Sequence, residues 1–321
     1  MRPRITKDEY AAILAMREGG QMQGPAGKVP PTSSGSSDAN SSHAATPRRG
    51  RAVPSSGPFT GEQDNATAPP SGPFGSAYDE HVEATTIRPR RLGVISDLHV
   101  PIHDAEACNL AVSYLKAQNI DTLVINGDFV DMYSLTRHGK DSRKYGLQYE
   151  LATARRELLA LRQFFGDGVQ MYYVEGNHEN WWKRYMRNVA RELDEYHGLD
   201  EALLLRGLGI HWIDHGMGLR AGKLRIIHGH EISGSGIYVA KRKLNKAKTN
   251  ILFGHHHTSQ EWTETNLDGH EIGSWAIGCL CQRTPEWNRF SGYTLGFAYV
   301  EFSDGGDFEV HNKRIIDGVI R

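Results

Sequence analysis

Three successive stretches place a short apolar run directly before a loop of acids, amides and imidazoles. LGVIS (92–96) leads to Asp97-Leu98-His99, TLVIN (122–126) to Gly127-Asp128-Phe129-Val130-Asp131, and QMYYV (170–174) to Glu175-Gly176-Asn177-His178-Glu179. Segments with helical apolar spacing follow, from Asp104 to about 118, over 147–165, and after His178. Continuous apolar runs of about five residues suit strands buried on both faces, as in a parallel sheet covered by helices. Open α/β sheets collect ligands at the carboxyl ends of their strands. The pattern therefore predicts an α/β fold with a polar site on three consecutive strand-end loops.

The texture changes after residue 199. Strand-like segments at 210–213, 224–228, 250–253, 260–265, 271–277, 293–302 and 308–311 are interrupted by one helical stretch, 237–247, which predicts two packed sheets with helices outside. These elements make residues 87–321 the expected folded domain, with order beginning near Arg90. Residues 20–86 are rich in Pro, Ser and Gly and hold too few large apolar side chains to offset chain entropy, so they read as a disordered linker. Within it Ser-Gly-Pro-Phe occurs twice, at 56–59 and 71–74, and Arg48, Arg49 and Arg51 cluster. Residues 1–19 read as a short helix capped by Thr6 with Glu9 three residues on; its partner is unassigned.

The formal net charge of −1 excludes a globally basic nucleic-acid binder. The charged first 20 residues lack the apolar core of a secretory signal, and no run approaches the ~18 apolar residues of a membrane helix. The three cysteines, Cys108, Cys279 and Cys281, lack C-x-x-C spacing and read as reduced, packed thiols. A cytoplasmic protein is expected.

Collected in order, the chemistry-bearing residues are Asp97, His99, Asp128, Asp131, Asn177, His178, His228, His255 and His257. Carboxylate and amide oxygens mixed with imidazole nitrogens suit divalent manganese, iron, zinc or nickel better than an all-oxygen calcium site or a thiolate zinc site. Two ions about 3.5–4 Å apart, sharing one carboxylate, fit this inventory better than one. Singly each fragment has a plainer reading: His255-His256-His257 as a surface turn, His228 as a satisfied strand-end histidine. Five fragments in fixed order carry more weight.

Together, Asp97-x-His99, Gly127-Asp128-x-x-Asp131, Gly176-Asn177-His178-Glu179, His228-Gly229 and Gly254-His255-x-His257 resemble the motif set of the calcineurin-like metallophosphoesterase superfamily, in a compact bacterial or phage form. The resemblance implies a four-layer α/β/β/α sandwich of two mixed sheets with a dinuclear metal site on the strand-end loops. It assigns Asp97, His99, Asp128 and His257 to one ion, and Asp128, Asn177, His228 and His255 to the other. His178 is implied as the acid that assists the leaving oxygen, and Asp131 as its orienting partner.

The activity implied is metal-dependent hydrolysis of phosphate mono- or diesters by a metal-bridging hydroxide, with manganese favoured. Met132-Tyr133 and Glu175 stand where the protein Ser/Thr phosphatases of the superfamily carry arginines, which argues against a phosphoprotein substrate. A DNA or RNA exonuclease is the alternative. Its basis is three basic clusters near the motif loops (Arg137 to Lys144; Lys183, Arg184, Arg187 and Arg191; Lys241 to Lys248) with Tyr133, Trp181 and Trp182 available for base stacking. Solvated helix faces and core tryptophans explain the same residues. A non-catalytic scaffold is the third reading.

Overall fold

The computed structural model describes residues 84–136, 145–193, 198–234, 236–265, 267, 269–285 and 290–321. The expected helix at 1–19, the linker as far as residue 83, and the basic loop of Arg137, His138, Lys140, Arg143 and Lys144 lie outside these residues.

A first strand, β1 (Thr85–Ile87), lies across the expected linker boundary at residue 86. The three apolar runs then form β2 (Arg91–Ile95), β3 (Thr122–Asn126) and β4 (Gln170–Val174), paired in parallel with Leu92 opposite Thr122 and Leu123 opposite Met171. Helix α1 (Ala105–Ala117) starts where Asp104 accepts a hydrogen bond from the Ala107 amide at 3.0 Å. Helices α2 (Leu147–Phe165), α3 (Asn177–Val189) and the short α4 (Leu199–Ala202) follow.

The remaining strands are β5 (Ile210–Ile213), β6 (Leu219–Ala221), β7 (Leu224–Ile227), β8 (Ile251–Phe253), β9 (Gln260–Thr265), β10 (Glu271–Ala276), β11 (Leu295–Phe302), β12 (Phe308–Ile316) and β13 (Val319–Ile320), with helix α5 (Val239–Ala247) between β7 and β8. A seven-stranded sheet has the order β13-β12-β11-β2-β3-β4-β5, and a six-stranded sheet the order β1-β6-β7-β8-β10-β9. Both are mixed, since β11 meets β2, and β9 meets β10, in antiparallel pairs. Strands β1, β6 and β13, of two or three residues, escaped the sequence reading because such lengths show no periodicity.

Side-chain alternation explains the layers. On β3, Leu123 and Ile125 enter a core shared with Ala107, Ala111 and Leu115 of α1 and Leu151, Ala154 and Leu158 of α2. Val124, between them, enters the core shared with Leu224 and Ile226 of the other sheet. Val239 of α5 packs on Ile251, Phe253 and Ala276 at the far face. The result is the expected α/β/β/α sandwich, with each fully buried aliphatic side chain worth about 1.5–3 kcal/mol. Among the described residues, no helix is long and apolar enough to cross a membrane.

Arg162 fastens the end of α2 to the chain just before β4 and just before β5. Its guanidinium donates to the carbonyls of Gly166, Val169, Leu208 and Gly209 at 2.8–3.0 Å. Arg162→Met strips these carbonyls of a shared partner and is expected to lower unfolding free energy by about 2–3 kcal/mol. Urea titration checks this: the midpoint falls while the slope stays as in the wild type.

Candidate metal centre

Loops from both sheets meet at one end of the sandwich. The loop after β2 runs along the loop after β3, with the amides of Asp97, His99 and Val100 donating to the carbonyls of Gly127, Asp128 and Phe129 at 2.7–3.1 Å. The loops after β7 and β8 are joined by Gly254 N–H donating to His228 at 2.8 Å. Backbone strain is concentrated here. Asp97, His99, Asp128, His255 and His257 all have φ between 48 and 66°, five of the ten non-glycine residues with positive φ among the described ones. Such conformations cost on the order of 1 kcal/mol each and persist only where surrounding contacts impose them. Gly127 has φ of 80°, and a Cβ there would collide with the His228 ring; a Cβ on Gly176 would collide with the Asp128 carboxylate.

All nine sequence-predicted residues come together. Asp97, His99 and Asp128 place ligand atoms within 4.8 Å of one another, and Asp128, His228 and His255 do the same. Asp128 is common to both triples. His257 joins the first, with Nε2 3.1 Å from Asp97 Oδ1 and 3.2 Å from His99 Nε2. Asn177 joins the second, its Oδ1 3.3 Å from His228 Nε2. The Nδ1 atoms of two imidazoles are already engaged. His228 donates to the Asn126 carbonyl at 2.7 Å and His99 to Asp131 Oδ1 at 3.0 Å, which leaves Nε2 of each facing the cluster.

Asp128 sits at the focus. Its Oδ1 accepts the His178 amide at 2.9 Å, in the first turn of α3, where the helix dipole favours an anion. Its Oδ2 lies 3.2 Å from His228 Nε2, 3.9 Å from His178 Nε2 and 4.0 Å from His99 Nε2. His178 stacks on Trp181 at 4.0 Å and donates from Nδ1 to the Asp131 backbone carbonyl at 2.6 Å. The Asp131 carboxylate is 3.7 Å from that nitrogen and bonds His99 instead. Asp131 thus meets both imidazoles, His178 through its carbonyl and His99 through its side chain.

The electrostatics follow from burial. Burial opposes charge on both acids, yet His257 holds the Asp97 carboxyl below its usual range, and His228 and His178 hold Asp128 well below. Burial likewise opposes charge on His228 and His257, but Asp128 carries His228 up to about 10 and Asp97 pushes His257 up. His99 and His255 shift downward through burial and neighbouring imidazoles, His255 to about 4. Each buried carboxylate therefore faces an imidazole whose charged form it favours, at a place where a cation would serve equally well. Two ring nitrogens 3.2 Å apart beside a carboxylate, with a buried and unpartnered Nδ1 on His257, make a donor set that fits divalent ions.

Sequence reasoning passed over Glu179. Its carboxylate, fully buried, accepts the amides of Asp128, Phe129, Val130 and Gly176 at 2.8–3.2 Å and the Tyr173 hydroxyl at 2.6 Å. Its place in the Gly176-Asn177-His178-Glu179 motif, at position three of helix α3, was the available signal. The basic clusters are partly spent on the fold. Lys183 pairs with buried Glu175 at 2.7 Å and Asp214 at 2.9 Å, while Lys243 is buried and donates to the carbonyls of Gly229 and Ile232. Arg184 remains exposed on α3. Trp182 packs against the core, and Tyr133 contacts Tyr145. His230 lies beside the second triple, 3.1 Å from His215.

Residues 90–313 match the family model for calcineurin-like phosphoesterase. Solved structures similar to the chain include Vacuolar Protein Sorting 29 from Cryptosporidium parvum, 13% identical, covering 73% of this chain and 96% of its own with a TM-score of 0.40. The phosphoesterase YfcE from E. coli is 16% identical over 69% of this chain and 98% of its own, with a TM-score of 0.32. Nuclease MPE from Pseudomonas putida is 14% identical over 69% and 88%, also at 0.32. No curated protein matches the chain.

Replacing Glu179 by Gln puts an amide nitrogen against N–H donors and leaves at least two buried donors unpartnered. Glu179→Gln is expected to cost about 3 kcal/mol or more, seen as a lower urea midpoint. Amide exchange should quicken at Asp128 to Val130 before the rest of the sheet.

Proposed function

This chain belongs to the calcineurin-like phosphoesterase family, and from that premise we propose that it is a dinuclear metal-dependent hydrolase of phosphate mono- or diesters. The observation that carries the reading is the single buried carboxylate of Asp128, shared by two groups of donors. Asp97, His99, Asp128 and His257 would hold one divalent ion, and Asp128, Asn177, His228 and His255 the other. Oxygen and imidazole donors admit manganese, iron, zinc or nickel, and manganese is the ion with which activity is expected. Bound there, the ions supply acidification of a water and polarisation of the phosphoryl oxygens.

The chain's own groups do the rest. His178 keeps Nδ1–H on the Asp131 carbonyl, so the proton it delivers comes from Nε2, the atom that faces the cluster. Trp181, stacked on the ring, fixes its plane and shields one face from water. The Asp131 carboxylate positions His99, and its carbonyl positions His178. Glu175, buried and paired with Lys183, presents no cation where the Ser/Thr phosphatases grip a phosphomonoester, which supports a substrate other than a phosphoprotein. The exonuclease reading loses Lys183 and Lys243 as free cations, while Arg184, Arg191, Lys241 and Lys248 stay exposed.

Purified full-length protein loaded with manganese is expected to hydrolyse bis-p-nitrophenyl or p-nitrophenyl phosphate, with chelation abolishing the activity. His178→Ala should lower kcat by about 10²–10⁴-fold with metal content unchanged, whereas Asp128→Asn should lose both metal and turnover. Loaded wild type without hydrolysis of either ester, or with hydrolysis indifferent to both substitutions, would leave the scaffold reading standing. Asp131→Asn separates the two roles of that residue: metal affinity should fall about 10–100-fold through His99, while turnover at saturating metal stays near wild type because the carbonyl remains.

A further inference from the structure

The segment after β10, Cys279-Leu280-Cys281, is buried beside the donor cluster. It crosses the loop that carries Asp97 and His99. Leu280 N–H donates to the Asp97 carbonyl at 3.2 Å, Asp104 N–H to Leu280 at 2.8 Å, and Gln282 N–H to Ile102 at 3.0 Å. The same segment is tied to the loop of His257: Cys279 N–H donates to the Thr294 carbonyl at 2.9 Å, and Thr294 N–H to the His257 carbonyl at 2.8 Å. Backbone bonds on both sides therefore fix where the two thiols stand.

Those thiols differ. Cys279 directs its Sγ to the Thr294 carbonyl at 3.7 Å. The Cys281 sulfur lies with one ring nitrogen each of His99 and His257 inside a 4.8 Å group, and all three residues are buried. Zinc bonds of about 2.0–2.1 Å to nitrogen and 2.3 Å to sulfur allow two donors on one ion to stand up to about 4.4 Å apart.

We propose that Cys281 is a further ligand at the position of Asp97, His99, Asp128 and His257, and that its thiolate makes this position prefer zinc or ferrous iron to manganese. The inference rests on the dinuclear reading above. On coordination the S–H bond breaks, a sulfur–metal bond forms and the proton leaves to solvent, with no change of oxidation state. The position of Asp128, Asn177, His228 and His255 keeps only oxygen and nitrogen donors. The two positions then differ in softness, with the stronger selectivity for zinc over manganese at the first.

Cobalt(II) titration of the full-length apoprotein tests this. Wild type should take up two equivalents with d–d absorption, and a near-ultraviolet sulfur-to-cobalt charge-transfer band should grow with one of them. The band should persist in the Cys108→Ser/Cys279→Ser variant, where Cys281 is the sole thiol, and vanish in Cys281→Ser and Cys281→Ala with d–d absorption retained. In zinc–manganese competition read by metal analysis, Cys281→Ser should weaken the zinc preference at one equivalent of the two. Should the Cys281 variants not fold, X-ray absorption of the zinc-loaded sole-thiol variant replaces them: a sulfur scatterer supports the proposal and its absence overturns it. Cobalt uptake without a sulfur band, or a band that survives in Cys281→Ser, overturns the thiolate alone. A wild type that takes up no cobalt overturns the thiolate and the metal-centre reading together.

Discussion

Five donors from two loops converge on the Glu179 carboxylate, and the placement of the site depends on that convergence. Three of them are the consecutive amides of Asp128, Phe129 and Val130, which leave β3 with no strand to pair them. The others, Gly176 N–H and Tyr173 O–H, come from the neighbouring β4 and its loop. Burial and the nearby Asp128 push the Glu179 carboxyl up, so its charge is held against a penalty. Removing any one donor would leave that charge less compensated, while removing the carboxylate would orphan buried amides. The bond network is therefore all-or-none, and it sets the spacing between Asp128 on one loop and His178 on the next.

That rigidity accounts for the strained backbone around it. A left-handed conformation at an aspartate or histidine persists only where neighbouring contacts over-determine it, and here each loop is bonded to the next through main-chain amides. The strain turns the side chains of Asp97, His99, Asp128, His255 and His257 inward as each strand ends. Packing leaves no slack for a Cβ at Gly127 or Gly176, so loop backbones and functional side chains occupy adjoining space. The charges close the same way: every buried acid of the cluster faces imidazole nitrogens at 3–4 Å.

Much of this was legible in the chain. The β2, β3 and β4 runs announced their ends through Asp97, Asp128 and Asn177, because a polar residue after a doubly buried strand has nowhere to go but the sheet's edge. The strands of the second sheet were found as well, except the three-residue β1 and β6. What was not legible concerns partners, not elements. A lysine that ends in solvent and one that ends on carbonyls, as Lys243 does, have the same sequence signature. Asp131 offers two acceptors within one residue, and only the loop's path decides that the carboxylate serves His99 and the carbonyl His178. Cys281 faces His99 through a contact nearly two hundred residues apart in sequence, beyond any local spacing rule.

The position of His178 is the most constrained in the cluster. Its ring is fixed from three sides: the Asp131 carbonyl on Nδ1, Trp181 against one face, and His99 edge-on at 4.5 Å. The remaining polar atom, Nε2, points to Asp128 Oδ2, the carboxylate oxygen common to both donor groups. The reach of the ring therefore ends on the shared carboxylate and not on either donor group alone. Trp181 and exposed Arg184 stand on the same helix, outside the bonds that hold Asp128 and Glu179 in place, so α3 can change its outer face without disturbing the cluster.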